Sequence, residues 1–256
     1  RTIHAGKAHF GAVGTPGADP TNLGFDINIA GHGPGGPGSY YGTHDFMASK
    51  RRGKDGPSVW DVPGLEAHHG KDIFLTEAIT AEVLKAIDAA NESKTPFYLN
   101  FAPYAIHAPI MANKKYLKNY EGLDRREAAY ATLIQSMDAA LGATVAHLEA
   151  LGISDNTIIV FASDNGGLSA HARGGAPHTH NAPLRSGKGS AYEGGVRVPF
   201  MIAWPGVTDQ PSRTDTPTIA MDIHETILEF AGVDAPDHAD SESLVGVLKG
   251  DDGPTR

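Results

Sequence analysis

Two apolar periods alternate along the chain. From about Thr76 to Asn91, Ile79, Val83, Ile87 and Ala90 recur every three or four positions, which predicts a helix with one buried stripe. "PFYLNFAP" (96–103) then reads as a buried strand. A longer helix is predicted near 125–151, where Tyr130, Leu133, Ile134, Met137, Leu141, Val145 and Leu148 form one stripe and Gly152 ends it. "NTIIVFAS" (156–163) is a second strand, and its unbroken apolar run suits a parallel sheet covered on both faces. "VPFMIAW" (198–204) is a third. Asp222 with Glu225 marks the start of a helix running to about Ala231.

This order of strands and helices predicts an α/β fold with a mostly parallel sheet covered by helices on both faces. In such sheets ligands sit beyond the carboxyl ends of the strands, which places the loops after Pro103, after Ser163 and before Val198 together. Residues 11–64, with "GTPGADP" and "GHGPGGPG", are expected to be mostly irregular. No internal repeat or second-domain boundary is visible, so 1–256 is read as a single domain.

Composition narrows the function. A net charge of −9 disfavours nucleic acid and anionic membrane as partners, while leaving room for a small anion where a few cations converge. No apolar run approaches the ~20 residues that span a bilayer. The absence of cysteine removes disulfides, thiolate metal sites and a cysteine nucleophile. The first residue is Arg1 rather than Met, which reads as a fragment or processed product.

Five segments carry candidate chemistry. Asp164 and Asn165 follow a strand and precede Gly166 and Gly167. They are either a turn capping its own amides or two hard oxygen donors for Ca²⁺ or Mg²⁺, which needs further ligands. His107, in "PYAIHAPI", is either a general acid or a surface histidine. Lys188 lies between Gly187 and Gly189, as a solvated loop residue or as a point charge on an anion. Lys7 and His9, if extended, point to one face. His171, His178 and His180 match no zinc spacing and read as a polar loop.

In this order, the segments "GKAHFG", "LGFD", "PFYLNFAPYAIHAPI", "YATLIQSMDAALGATVAHLEALGISDNTIIVFASDNGG", "PLRSGKGSAYEGGVRVPFMIAWPG" and "MDIHETILEFAG" resemble the sulfatases of the alkaline phosphatase superfamily. The resemblance spans about 2–232 and is most specific from Asn156 to Pro205. It implies an alkaline-phosphatase-like sandwich fold and calcium-dependent cleavage of a sulfate ester by a formylglycine nucleophile. It also implies roles. Asp164 and Asn165 would ligate calcium. Lys7 would contact the sulfate and His9 the formylglycine hydroxyl. His107 and Lys188 would bind the bridging side and assist the leaving group. The substrate would be a small-molecule or glycan sulfate ester, and a periplasmic or extracellular location would be ordinary.

Two family features are missing. The only Asp-Asp pair is Asp251–Asp252, which follows no strand, and no Ser or Cys stands in a C/S-x-P-x-R frame. "NAPLR" (181–185) fits that frame except at Asn181, which cannot become formylglycine. The chain is therefore expected to be a catalytic-domain fragment lacking the first strand with its Asp pair and the nucleophile segment, and inactive alone. Two other readings stand beside it. One is a metal-dependent phosphodiesterase or phosphonate hydrolase of the same superfamily. The other is a non-catalytic binder of sulfated glycans.

Overall fold

A computed structural model describes residues 1–168, 181–236, 240–251 and 253. The chain forms two compact units, residues 1–151 and the described residues from Gly152 onward.

The first unit is built on three parallel strands, β1 (Thr2–Gly6), β2 (Ile27–Ile29) and β3 (Tyr98–Ala102), in the order β2-β1-β3. Ile3 pairs with Ile27 on one side and Leu99 on the other. As the middle strand, β1 is covered on both faces, and Ile3, His4 and Ala5 are fully buried. β3 is half-buried rather than buried, with Tyr98 at its exposed start stacked on Phe25.

The irregular segment 11–64 holds only short turns and the four-residue α1 (Ala48–Arg51) besides β2. It is nevertheless packed, with Tyr40 and Phe46 fully buried. α2 (Leu75–Glu92) matches the helical period, burying Leu75, Ile79, Val83, Ile87 and Ala90. Glu77 of its first turn accepts the Phe74 N–H at 3.5 Å.

α3 (Arg125–Ala150) begins at Asp124, whose carboxylate caps the N–H groups of Arg126 and Glu127. Its buried face differs from the apolar stripe. Tyr130, Leu133 and Leu148 are inside, but so are Thr132, Ser136, Ala140 and Thr144, whereas Ile134 is 41 % exposed. α3 packs against α2, and the Asn113 N–H and side-chain amide donate to the Thr132 and Ser136 hydroxyls at 2.9 and 3.0 Å. The hydroxyls of Ser136 and Thr144 bond the carbonyls four residues back, and that of Thr132 the Ala129 carbonyl, so their burial leaves no polar group unmet. Apolar spacing alone does not reveal such a face.

The second unit contains β4 (Ile159–Ala162) and β5 (Phe200–Ala203), which pair antiparallel with Ile159 opposite Ala203. The unbroken apolar run of β4 suggests a buried parallel strand. Among the described residues it is half-buried, and its partner runs the other way. The short α4 (Glu193–Val196) precedes β5, and α5 (Asp222–Phe230) and α6 (Val245–Lys249) follow it. Buried Asp222 accepts the Ile219 N–H at 2.8 Å and the Glu242 N–H at 3.1 Å, tying the start of α5 to the approach to α6. Among the described residues, no helix is long and apolar enough to cross a membrane.

Candidate active site

In the first unit the candidate residues gather where β1 and β3 end. Gly6 closes β1 with φ 99°, and a Cβ there would stand 1.9 Å from the Ala102 carbonyl oxygen. Only glycine fits so near a neighbouring backbone. The next N–H, that of Lys7, donates to the same Ala102 oxygen at 2.7 Å. The strand therefore ends in a turn before Lys7. Lys7 and His9 both lie beyond the end of β1, and His9 adopts φ 58°. The one-face geometry expected of a continued strand is replaced by a tight turn that leaves Lys7 half-buried and His9 exposed.

His107 lies in the loop after β3. Its Nδ1 is 2.8 Å from the Ala108 carbonyl, an acceptor only, so Nδ1 carries the proton of the neutral ring. Tyr40 anchors the loop: its buried hydroxyl donates between the carbonyls of Tyr104 and His107, at 2.7 and 2.8 Å. Burial, then neighbouring Tyr104, pushes the Tyr40 hydroxyl far above the usual phenol range, so it stays a donor at any working pH.

The two histidines share a wall. A Cβ on Gly35 would lie 2.7 Å from His9 Nδ1, and one on Gly36 would lie 2.8 Å from His107 Nδ1. Consecutive glycines thus lean on both rings. The Gly-rich stretch, read from sequence as irregular, is the surface against which these side chains are set. His32, from the same stretch, accepts the His9 N–H on its carbonyl at 3.2 Å. Its ring Nδ1 is 2.6 Å from the Tyr104 hydroxyl, which itself donates to the Ala30 carbonyl.

Sequence reasoning missed His4. Its Nε2 donates to the Gly6 carbonyl at 3.1 Å, and its Nδ1 accepts from Asn100 at 3.1 Å. Burial holds its pKa below the ordinary imidazole range, the Gly6 carbonyl opposing, so a neutral ring links β3 to the turn before Lys7. The available signal was a histidine within the short apolar run "IHA" two residues before Gly6.

In the second unit, Asp164 and Asn165 follow β4, with Asp164 exposed and Asn165 half-buried. Gly166 beneath them donates to Gly195 at 2.9 Å, and a Cβ there would lie 1.8 Å from the Gly194 oxygen. The Lys188 N–H donates to the Gly167 carbonyl at 3.0 Å. The lysine loop is therefore stitched to the Asp-Asn turn two residues beyond it. Asn181 reinforces the stitch: its Oδ1 accepts from Gly167 N, and its Nδ2 donates to the carbonyls of Gly167 and Ser186, each at 3.0 Å. The residue that occupies the nucleophile place of "NAPLR" is thus a backbone clasp.

Asn181→Ala would leave Gly167 N and Ser186 O without this partner. The expected cost is about 2–3 kcal/mol, read from the urea midpoint of Trp204 fluorescence. A loss below about 0.5 kcal/mol would contradict the clasp.

Asp164 and Asn165 suit a hard cation in kind, but they are two of the 6–8 oxygens calcium takes. Among the described residues no group of three or more His, Asp or Glu is placed to hold a metal. His171, His178 and His180 lie outside the described residues. The described geometry thus collects Lys7, His9 and His107 in one unit, and Asp164, Asn165 and Lys188 in the other.

Residues 24–233 match the family model for sulfatases. A sulfatase of Formosa agariphila is 31% identical over 214 residues, covering 77% of this chain and 36% of the relative. N-acetylgalactosamine-6-sulfatase of Mus musculus is 30% identical over 245 residues, 90% of this chain and 42% of the relative. The chain thus spans less than half the length of these relatives. Among solved structures, Ps i-CgsB in complex with k-i-k-neocarrahexaose superposes with a TM-score of 0.80 at 27% identity, over 98% of this chain and 55% of that one. PsFucS1 sulfatase from Pseudoalteromonas sp. gives 0.69 at 25%, over 100% of this chain and 53% of that one. These neighbours share the α/β architecture expected from the order of strands and helices.

Proposed function

Because the chain belongs to the sulfatase family, we propose that its residues serve the hydrolysis of a sulfate ester carried on a glycan. The observation that carries this is that Lys7, His9 and His107 follow the ends of adjacent parallel strands, with Gly35 against the His9 ring and Gly36 against the His107 ring.

A sulfate ester bears one negative charge, and its bridging oxygen gains more as the S–O bond breaks. In this reading the Lys7 ammonium draws density from the nonbridging oxygens, a stabilisation that grows toward the transition state. His107, protonated on Nε2, gives the leaving oxygen its proton. For Lys188, in the second unit, the family resemblance supports a cation's role toward a sulfate, and that is the role assigned to it. His9 would pair with a formylglycine hydroxyl, a group that no residue of this chain supplies. Asp164 and Asn165 would contribute two oxygens to calcium, whose chemistry when bound is to polarise the sulfuryl group. The glycan is suggested by the neighbour solved with neocarrahexaose.

On the chain as it stands, 4-nitrophenyl sulfate is expected to show no turnover. Galactose 6-sulfate is expected to bind, and Lys7→Ala to weaken it about tenfold, the loss of one charge-assisted contact. Turnover that vanishes in Lys188→Ala would overturn the nucleophile assignment. Failure of the sulfated sugar to shift the Lys7 and His107 amide signals would overturn the sulfate reading itself.

A further inference from the structure

A cleft of about 440 Å³ opens beside the glycine wall, within the first unit. That is within the range of about 300–1,000 Å³ typical of small-molecule sites. The stretch 31–34 lines it, and the next two residues, Gly35 and Gly36, lean on His9 and His107. The cleft and the histidines are therefore two sides of one loop, joined again by the bond from His9 N to His32 O.

Its lining has two characters. Val13 and Val59, each 57% exposed, and Pro34 and Pro63 give apolar surface. Asp19 and Asn28 give fixed polar groups. Oδ1 of Asp19 accepts from Thr21 N at 3.0 Å and from Asn28 Nδ2 at 3.3 Å, and Asn28 is locked in turn by Gly31, whose N–H and carbonyl it bonds at 2.9 Å each. The Asp19 carboxyl, stabilised first by the Thr21 amide, lies below the usual carboxylate range and is ionised at neutral pH. Among the described residues no lysine or arginine lines the cleft, and the histidine that does, His32, has its pKa lowered by burial to about 4 and is neutral.

We propose that this cleft seats an uncharged sugar residue next to the sulfated one. The assignment rests on the sulfate-ester reading and adds a preference to it. A pyranose presents C–H faces that pack on valine and proline, and hydroxyls that donate to a carboxylate. A second sulfate would meet the Asp19 charge with no cation among the described lining residues to offset it. The substrate is then a glycan in which a sulfated unit adjoins an unsulfated one.

The test uses the full chain, isotopically labelled, with three probes: galactose 6-sulfate, the same unit joined to unsulfated galactose, and a disaccharide sulfated on both units. The neutral neighbour is expected to tighten binding about fivefold, close to 1 kcal/mol, and to shift the Val13 and Gly33 amides. The second sulfate should erase that gain. Asp19→Asn keeps the acceptor for Thr21 and removes the charge, so it should restore binding of the doubly sulfated probe. Equal affinity for the monosaccharide and the singly sulfated disaccharide, with Lys7 and His107 responding to both, overturns the cleft assignment alone. Silence of Lys7 and His107 toward every probe overturns the sulfate reading and the cleft assignment with it.

Discussion

Gly6→Ala is expected to cost about 3–5 kcal/mol, combining left-handed backbone with a collision against the neighbouring strand. The collision is specific: the new methyl would be placed 1.9 Å from the Ala102 oxygen, the same oxygen that accepts the Lys7 N–H. Relief requires β1 and β3 to part where the candidate site begins. Gly24 is the control. It has φ 96° and nothing within 4 Å of the added methyl, so Gly24→Ala should cost only the conformational strain, about 1 kcal/mol. Trp60 and Trp204 lie one in each unit. In a Trp204→Phe background, urea unfolding followed by fluorescence therefore reads the first unit. Equal losses for the two glycine variants would show that the close approach of β1 and β3 does not hold in solution.

The second large effect is a loss of stability on mild acidification. Burial lowers the His32 pKa from 6.5 to about 4, opposed by the nearby Trp60 carbonyl and the Asp61 carboxylate. The Trp60 carbonyl favours the charged form, but Nε2 makes no hydrogen bond to it, and burial prevails. The unfolded chain binds a proton near pH 6.5 and the folded chain only near 4. The contribution is therefore fully present above about 6.5 and drains away as the pH falls toward 4. Discounted for the partial exposure of the ring, the loss is about 1–3 kcal/mol. Burial lowers His4 and His44 in the same direction. The carboxylates with depressed values, such as Asp19 and Asp45, start from 3.8 and act at lower pH. Between pH 7 and 5 the histidines dominate. His32→Asn retains a group opposite the Tyr104 hydroxyl and removes the titration. The slope of stability with pH over that range should fall by a third or more, and an unchanged slope would assign the acid sensitivity elsewhere.

Much of the architecture was legible in the sequence because α2, α3 and α5 carry strong periods and clear ends. Their observed limits, Leu75–Glu92, Arg125–Ala150 and Asp222–Phe230, lie within a residue or two of the expected ones. Pairing direction was not legible, since an apolar run such as "IIVF" has the same composition whichever way its neighbour runs, and β4 turned out antiparallel to β5. β2 was hidden by its three-residue length inside a glycine-rich stretch. The buried face of α3 was hidden because Ser136 and Thr144 count as polar until their bonds back to the helix are seen. At the candidate site, residue types were legible and supports were not. The sequence singles out Lys7 and His107. It does not reveal that His4 and Tyr40 hold their turns, or that Asn181 clasps the Lys188 loop, because each acts on backbone atoms distant in sequence.

The turn after β4 bears on how the protein ages. An asparagine followed by glycine is chemically fragile: the glycine nitrogen can attack the side-chain amide, expel ammonia and leave a mixture of aspartate and isoaspartate. At Asn165 that attack would need the Gly166 nitrogen to give up its bond to the Gly195 carbonyl, made at 2.9 Å, in a turn where Gly166 lies close against Gly194. The packing that shapes this loop thus also shields it from spontaneous deamidation, and the lesion should accumulate in unfolded protein long before it does in folded stock.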